Sequence, residues 1–206
     1  MNPPAQVSQG LAAVVLAAGQ STRMGRPKMA LPWGERTVVS QVAWVLLQAG
    51  ADPVVVVTGG ARREVEAALS GLPVQTVFNP RYLEDHMALS LQTGLLALPQ
   101  TVDAVLVALG DQPQVPLDAV QALVAVYRRS PAPLLVPVWQ GRRGHPWLAQ
   151  RCLWPGLLAL QPPLTLRDWM RSQADQTLLV EVDSDGILRD LDTPQDYDRE
   201  RPVDRR

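Results

Sequence analysis

The chain has 206 residues, 47% hydrophobic and 19% charged, enough to bury the core of one domain and unlike the composition of a disordered chain. Its formal net charge of −1 argues against nucleic acid or an anionic membrane surface as a partner. The single cysteine, Cys152, excludes internal disulfides and cysteine-based zinc clusters. The first ten residues lack Lys and Arg, and the apolar run 11–18 is too short for a membrane span, so we expect a cytoplasmic protein.

Six short apolar runs predict the strands of a sheet. They cover residues 12–16, 54–58, 74–78, 104–108, 134–138 and 178–182. Four of them are rich in Val and Leu without polar alternation, which is typical of strands buried on both faces.

Apolar residues between these runs recur at helical spacing. The stripes are Val38, Val42, Val45 and Leu46; Val65, Ala68 and Leu69; Val120, Leu123, Val124 and Tyr127; and, in a helix over 86–98, Met87, Leu91, Leu95 and Leu98. Alternating strands and helices predict a single α/β domain, a mainly parallel central sheet flanked by helices. We place this domain at residues 11–198, with flexible tails at 1–10 and 199–206. Such sheets bind ligands beyond the carboxyl ends of their strands, which directs attention to the loops after residues 16, 58, 78 and 108.

The loop after the first strand concentrates positive charge. It reads Leu16-Ala17-Ala18-Gly19-Gln20-Ser21-Thr22-Arg23-Met24-Gly25-Arg26-Pro27-Lys28, and Lys28 is the only lysine of the chain. Small residues at 17–19 let a ligand approach the backbone, whose free N–H groups hold phosphate oxygens well. The loop matches neither G-x-G-x-x-G nor the Walker A pattern. We predict an anion-binding loop, with a solvated basic turn as the alternative.

The same residues resemble a family signature. The pattern L-A-A-G-x-S-x-R-M-G-x-x-K is similar to the signature loop of nucleotidyltransferases related to molybdenum-cofactor biosynthesis, and more narrowly to the cytidylyltransferase branch. The guanylyltransferase branch typically reads Leu-Ala-Gly-Gly where this chain has Leu16-Ala17-Ala18-Gly19. The resemblance implies a Rossmann-like, GT-A-like fold. It also implies a nucleotide-binding loop made by Leu16, Ala17, Ala18, Gly19 and Ser21, with Arg23 and Lys28 as nucleotide-binding and catalytic cations.

An aspartate follows the fourth strand in Gly110-Asp111-Gln112-Pro113. A carboxylate just past a buried strand suits Mg²⁺, which takes one or two carboxylates plus phosphate oxygens and water. The alternative is a turn or helix cap. The motif resembles the Gly-Asp-Gln-Pro segment of the same family, which implies that Asp111 is a catalytic metal ligand, that Gly110 and Asp111 bind the nucleotide and that Gln112 lies on the acceptor side.

A second acidic segment, Asp190-Leu191-Asp192-Thr193-Pro194, lies near the C-terminus. Thr-Pro is typical of a helix start, so Asp192 or Thr193 as a helix cap is one interpretation. The resemblance implies that Asp192 is the other metal ligand, with Asp190 in reserve.

Three further residues are assigned to the nucleotide. Thr58 ends the second strand, and Asn79 follows the third. The resemblance implies that Asn79 and Ser90 line the nucleobase pocket, although a buried helix serine bonded to its own backbone is an equally good interpretation of Ser90. The chain has Glu84-Asp85-His86 where relatives usually have glycine before Met87.

The segment Gly141-Arg142-Arg143-Gly144-His145-Pro146 resembles the Gly-His-Pro segment of the cytidylyltransferase branch. It implies that Gly144 and His145 contact the acceptor, while a loop histidine is more often a structural hydrogen-bonding group. The family's Gly-Asp-x-Gly-x-Arg segment is replaced here by residues 160–167, of which only Arg167 fits.

Together the resemblance implies Mg²⁺-dependent nucleotidyl transfer, with Mn²⁺ as a possible substitute. The expected substrates are CTP, or another nucleoside triphosphate, and a molybdopterin-type acceptor, with a molybdenum hydroxylase as the client. Two alternatives stay open at this point: nucleotidyl transfer to a sugar- or polyol-phosphate, and a non-catalytic protein that delivers cofactor.

Overall fold

The computed structural model describes residues 10–84 and 86–202. A central sheet has the strand order β10-β7-β9-β6-β1-β4-β5, with β8 paired to β7. The bounds are β1 Leu11–Ala17, β4 Val54–Thr58, β5 Gln75–Phe78, β6 Ala104–Leu109, β7 Leu134–Trp139, β8 Arg142–Arg143, β9 Trp147–Gln150 and β10 Thr177–Glu181; β2 Pro32–Trp33 and β3 Arg36–Thr37 form a separate two-stranded ribbon.

Seven α-helices occur in the described ranges. They are α1 Val38–Gln48, α2 Arg62–Ala68, α3 Met87–Leu96, α4 Leu117–Tyr127, α5 Trp154–Leu158, α6 Leu166–Ser172 and α7 Pro194–Glu200. Within the same part of the chain, no helix is long and apolar enough to cross a membrane.

The predicted fold class is confirmed, because the sheet is mainly parallel and helices pack on both of its faces. Parallel pairs join β1 to β4, β1 to β6, β4 to β5 and β7 to β10. One apolar cluster packs α1 and α4 on one face, and another packs α3, α5 and α6 on the other. The difference from expectation is β9, a short strand that pairs antiparallel with both β6 and β7 in the middle of the sheet.

All six predicted strands are present to within one or two residues at each end. Helix α3 begins and ends inside the predicted range, and its expected apolar face is wrong at one position. Leu91, Leu95 and Leu98 are buried against β1, whereas Met87 is 50% exposed at the first turn.

The ends of the predicted domain overlap ordered structure. Gly10 is hydrogen-bonded to Asp103, just before β6, and Arg199 and Glu200 belong to α7. Of the two expected tails, residues 1–9 and 203–206 lie outside the described residues. The limits 11–198 therefore stay a prediction.

Candidate active site

A cleft of about 560 Å³ opens at the edge of the sheet where β1 and β6 end. This volume is in the range of small-molecule sites, roughly 300–1,000 Å³. The cleft is lined by Leu16, Ala18, Gly19, Gln20, Ser21, Thr22, Arg23, Lys28, Met29, Tyr82, His86, Met87, Ser90, Leu109, Asp111, Asp190 and Asp192. Its position follows from the parallel topology, which gathers the loops after β1 and β6 at one edge.

The loop of residues 18–28 forms one wall of the cleft. Ser21 has a left-handed backbone conformation, with φ of 52°, and its Oγ accepts a hydrogen bond from the Lys28 backbone N–H at 3.3 Å. Met24 anchors the loop in a small apolar cluster with Trp33 and Tyr197. The loop is thereby held at both ends, while Gly19 faces open space in the cleft.

Lys28 lies between two carboxylates. Its Nζ donates to Asp111 Oδ2 at 2.5 Å and to Asp192 Oδ1 at 3.4 Å, and its side chain is only 11% exposed. Arg23 donates to both oxygens of Asp192, at 3.0 and 3.1 Å. Two segments 81 residues apart in sequence therefore converge on a single ammonium nitrogen.

The helix-cap interpretation holds for Thr193 and for neither of the two aspartates. Helix α7 is capped by Thr193, whose Oγ1 accepts from the Asp196 backbone N–H at 3.2 Å, so the Asp192 carboxylate is free to face the cleft. Helix α4 begins at Leu117, after Pro116, well past Asp111.

The same two carboxylates fit a divalent cation, because their oxygens already converge on one positively charged atom. In residues 10–84 and 86–202, no group of three or more His, Cys, Asp or Glu side chains is arranged to hold a metal ion. A metal at Asp111 and Asp192 would therefore complete its coordination with ligand oxygens and water, as Mg²⁺ commonly does.

Asp190 adds a third carboxylate to the cleft. Its Oδ1 accepts a hydrogen bond from Gln112 Nε2 at 2.7 Å. Desolvation of its carboxyl group raises the pKa of Asp190, and the nearby charge of Asp111 raises it further. The sequence favours Asp192 as the second metal ligand, with Asp190 as the alternative. In the structure, Asp190 also lines the cleft.

A second part of the cleft lining comes from residues between 82 and 90. Ser90 lines it and accepts a hydrogen bond from buried Asn79 Nδ2 at 3.0 Å, so Asn79 supports the wall from behind. The Tyr82 ring packs against Phe78, with centroids 5.9 Å apart. His86 Nε2 lies 3.1 Å from the Leu164 carbonyl oxygen, to which it donates, joining the start of α3 to the loop before α6.

Seven predicted site residues do not line the cleft: Ala17, Thr58, Asn79, Gly110, Gln112, Gly144 and His145. Thr58 is fully buried and donates to the Val77 carbonyl at 3.3 Å, which is a role within the sheet. Gly110 lies directly beneath the loop, where a Cβ atom would come within 3.1 Å of Ala17 and Met29.

Gly144 and His145 lie beyond β6, next to the acidic segment. The His145 backbone N–H donates to the Ile187 carbonyl at 3.0 Å, and a Cβ at Gly144 would meet the same oxygen at 2.3 Å. Burial lowers the pKa of His145 to about 4, so its imidazole is neutral near pH 7. The residues predicted to contact the acceptor therefore do not line the cleft and stay a prediction.

Sequence reasoning did not select Tyr82, His86 and Met87 as cleft residues. Tyr82 and His86 fall between β5 and α3, and Met87 is the first residue of α3. The available signal was their position after β5, at the carboxyl edge of the sheet.

A parallel sheet whose edge carries a basic loop and facing carboxylates is the architecture of a nucleotidyltransferase. The chain belongs to the MobA-like NTP transferase domain family, which matches residues 13–177.

Three relatives align over most of their length. The purine catabolism protein PucB of Bacillus subtilis (strain 168) is 29% identical over 93% of this chain and 96% of its own. The molybdenum cofactor cytidylyltransferase of Escherichia coli (strain K12) is 28% identical over 89% and 92%. The nicotine blue oxidoreductase of Paenarthrobacter nicotinovorans is 30% identical over 87% and 91%.

Solved structures of similar sequence share the fold. Rv0371c from Mycobacterium tuberculosis H37Rv has a TM-score of 0.82 at 29% identity, covering 93% of this chain and 97% of that one. Its complex with manganese gives a TM-score of 0.75 at 30% identity, with coverage of 93% and 97%. A nucleotidyl transferase from Methanothermobacter thermautotroptrophicus has a TM-score of 0.78 at 29% identity, covering 93% and 95%.

Proposed function

We propose that this protein transfers CMP from CTP to the terminal phosphate of a molybdopterin-type acceptor and releases pyrophosphate. The observation that carries the proposal is the convergence of Lys28, Asp111 and Asp192 at the mouth of a cleft walled by the 18–28 loop. The reaction would occur in the cytoplasm, with a molybdenum hydroxylase as the client for the product.

The cleft supplies what nucleotidyl transfer requires. An oxygen of the acceptor phosphate attacks the α-phosphorus of the nucleotide, the bond to the bridging β-phosphate oxygen breaks, and pyrophosphate leaves with that electron pair. A phosphate monoester is already an oxygen nucleophile near pH 7, so the protein mainly has to position the two reactants and offset charge. The position of Lys28 and Arg23 in the cleft wall at the end of β1 supports their assignment to the triphosphate.

Asp111 and Asp192 are the residues that would hold Mg²⁺. The ion, when bound, offsets phosphate charge as a Lewis acid. The manganese complex of Rv0371c supports a divalent cation in a related protein, and Mn²⁺ is the expected substitute here.

The choice of CTP and of the acceptor rests on sequence. The loop reads Leu16-Ala17-Ala18-Gly19, as in the cytidylyltransferase branch, and one relative is named a molybdenum cofactor cytidylyltransferase. The other relatives carry different names, so the acceptor is the part of the proposal that most needs a direct test.

The experiment is a thermal-shift titration of the purified protein with CTP, GTP, ATP and UTP, each with and without Mg²⁺. A ligand at 100 times its Kd stabilises the folded state by about 2.7 kcal/mol, a shift of roughly 5–10 °C for a chain of this size. We expect a Mg²⁺-dependent shift with CTP alone. A thermal shift with a different nucleotide would identify that nucleotide, and not CTP, as the substrate. If none of the four nucleotides stabilised the protein, nucleotidyl transfer would be contradicted.

Two variants sharpen this titration. Lys28→Ala should abolish the shift with CTP. Arg129→Gln should leave it unchanged, because Arg129 is exposed two residues past the end of α4 and its side chain bonds only the Ala125 carbonyl of that helix.

A further inference from the structure

The cleft contains a largely buried ammonium group between two carboxylates. Lys28 Nζ donates to Asp111 Oδ2 at 2.5 Å and to Asp192 Oδ1 at 3.4 Å. The side chain of Lys28 is 11% exposed and that of Asp111 is 17% exposed. Because water has little access to these two groups, their attraction is screened much less than that of a surface ion pair. The ammonium therefore holds the two carboxylates together.

Arg23 contacts the same acidic group in a different way. Its two terminal nitrogens donate to both oxygens of Asp192, at 3.0 and 3.1 Å, but its side chain is 69% exposed. An exposed ion pair contributes little to stability, because water and salt screen the two charges. Of the two cations, Lys28 is therefore the stronger competitor for any further positive ion that approaches these carboxylates.

A divalent cation at Asp111 and Asp192 needs the oxygens that Lys28 uses. Mg²⁺ binds oxygen ligands at about 2.0–2.1 Å and takes one or two carboxylates together with phosphate oxygens and water. Asp111 Oδ2 and Asp192 Oδ1 are the atoms bonded to the Lys28 nitrogen. A metal ion bound to both of them would lie next to the ammonium, and like charges so close repel each other in a partly buried site. The metal ion and the ammonium therefore exclude one another.

The backbone of Lys28 is fixed, whereas its side chain is able to rotate. The Lys28 N–H donates to Ser21 Oγ at 3.3 Å, and the Lys28 carbonyl accepts from the Leu31 N–H at 3.2 Å. The ammonium is carried on a flexible four-carbon stem. It can therefore change partners by rotation of the side chain, while the backbone of the loop stays in place.

Phosphate oxygens are suitable new partners for this ammonium. Lys28 lines the cleft together with Gly19, Gln20 and Ser21 of the same loop, the wall that we assign to the triphosphate. Charge-assisted hydrogen bonds to phosphate are strong, so a triphosphate in the cleft would accept the ammonium and free the carboxylates for a metal ion. Without a phosphate, displacement of the ammonium would leave a partly buried charge without a partner, which is costly.

We propose that Lys28 competes with the divalent cation for Asp111 and Asp192, and that the metal binds tightly only after nucleotide phosphates accept the ammonium. The identity of the anion that accepts the ammonium rests on the proposed function. The competition itself depends on the contacts of Lys28 with the two carboxylates, so it can be measured with the metal ion alone.

The test measures Mn²⁺ binding to the purified protein without nucleotide, by electron paramagnetic resonance of the free ion. Lys28→Met keeps most of the apolar stem and removes the ammonium. Loss of a competing charge-assisted hydrogen bond predicts that this variant binds Mn²⁺ about 10- to 100-fold more tightly than the wild type. Equal affinity of the two proteins, or weaker binding by the variant, would overturn the inference.

Arg26→Ala is the control for net charge. It removes one positive charge from the same loop, but the Arg26 guanidinium lies 5.6 Å from the Tyr197 ring centroid and does not line the cleft. Its affinity for Mn²⁺ should stay within about threefold of the wild type. A gain as large as that of Lys28→Met would mean that net charge, and not the contact with the carboxylates, controls metal binding, and would overturn the inference.

A double variant locates the ion. Adding Asp111→Asn to Lys28→Met should remove the gain in Mn²⁺ affinity, because Asp111 is one of the two carboxylates in competition. A gain that persists in the double variant would place the ion elsewhere and overturn the inference. Circular dichroism should show all variants folded, and Lys28→Ala replaces Lys28→Met, with the same expected gain, if Lys28→Met does not fold.

The two proposals fail separately. Tighter Mn²⁺ binding by Lys28→Met supports the inference even if the wild type releases no pyrophosphate from CTP, a result that would contradict only the proposed function. Pyrophosphate release by the wild type, together with unchanged Mn²⁺ affinity in folded Lys28→Met, would overturn the inference and leave the proposed function intact.

Discussion

Two regions of the molecule differ in how their charges are satisfied. At the 18–28 loop, the cations Lys28 and Arg23 are already bonded to Asp111 and Asp192. At the β7–β8 hairpin, Arg142 and Arg143 are exposed, with no carboxylate partner in residues 10–84 and 86–202.

This difference has a physical consequence for binding. A ligand that takes up Lys28 must offer phosphate oxygens in place of the carboxylates, and carboxylates that lose their cation in a partly buried site need another one. We therefore expect nucleotide binding to depend on Mg²⁺. The exposed hairpin arginines have no such exchange to make, because solvent and salt already screen their charge.

The largest expected effect is that of Asp111→Asn on the nucleotide side. Loss of this carboxylate should lower pyrophosphate release by about 10³-fold or more, because both metal binding and charge balance at Lys28 are lost. Thermal stability should stay close to wild type, since the Asp111 carbonyl still accepts from the Leu191 N–H at 3.0 Å. A folded, fully active variant would remove Asp111 from the mechanism, and collapse of the fold would instead favour a structural role.

Lys28→Ala is expected to lower turnover by roughly 10²–10³, the range for loss of one transition-state charge stabiliser. Arg26→Ala is the control from the same loop, because Arg26 lies outside the cleft with its guanidinium 5.6 Å from the Tyr197 ring centroid. Circular dichroism should show both variants folded. Near-normal turnover by a folded Lys28→Ala variant would mean that Lys28 has no catalytic role that distinguishes it from Arg26.

A smaller effect concerns His145 and stability against pH. Its pKa is lowered from 6.5 to about 4 in the folded state, so the unfolded chain binds more protons between these values and stability falls as the pH falls from 6.5 to 4. The loss is up to about 3 kcal/mol, at 1.36 kcal/mol per pKa unit. Urea denaturation at a series of pH values should show it, and His145→Gln should remove this component. Equal pH dependence in both proteins would mean that His145 is not held neutral, and the hairpin side would then carry a variable charge.

The smallest expected effect is that of Thr58→Val. Thr58 lies at the carboxyl edge but is fully buried and donates to the Val77 carbonyl, so its loss should cost about 1 kcal/mol of stability. The KM for CTP should change by less than about twofold. A tenfold increase in the KM for CTP, measured by pyrophosphate release, would show that Thr58 belongs to the nucleotide site and that this site extends along β4.

Features formed by one contiguous stretch of sequence were the most predictable, namely the strands and the loop that ends at Lys28. Buried Val- and Leu-rich runs gave the strands, and the loop ending at Lys28 lines the cleft as expected. Asp111 and Asp192 lie far apart in sequence, and the resemblance was needed to propose that they meet. Lys28 joins them, a geometry that only the tertiary fold creates.

Other features were not predictable from local pattern. Strand β9 is only four residues long, too short for a distinctive apolar run, yet it inserts between β6 and β7. Thr58 and Asn79 have the right strand-end position, but burial turns their side chains into structural contacts. Tyr82 and His86 enter the cleft from a connecting segment whose course depends on packing rather than on composition.

The most direct test of the account is pyrophosphate release by the purified wild-type protein with CTP, Mg²⁺ and molybdopterin, compared with reactions that omit each component. The account predicts stoichiometric pyrophosphate and CMP-linked molybdopterin only when all three are present, with Mn²⁺ able to replace Mg²⁺. Binding of CTP and molybdopterin without any pyrophosphate would contradict catalysis and identify a carrier that delivers cofactor. Release with a sugar- or polyol-phosphate, and not with molybdopterin, would keep nucleotidyl transfer and contradict the proposed acceptor.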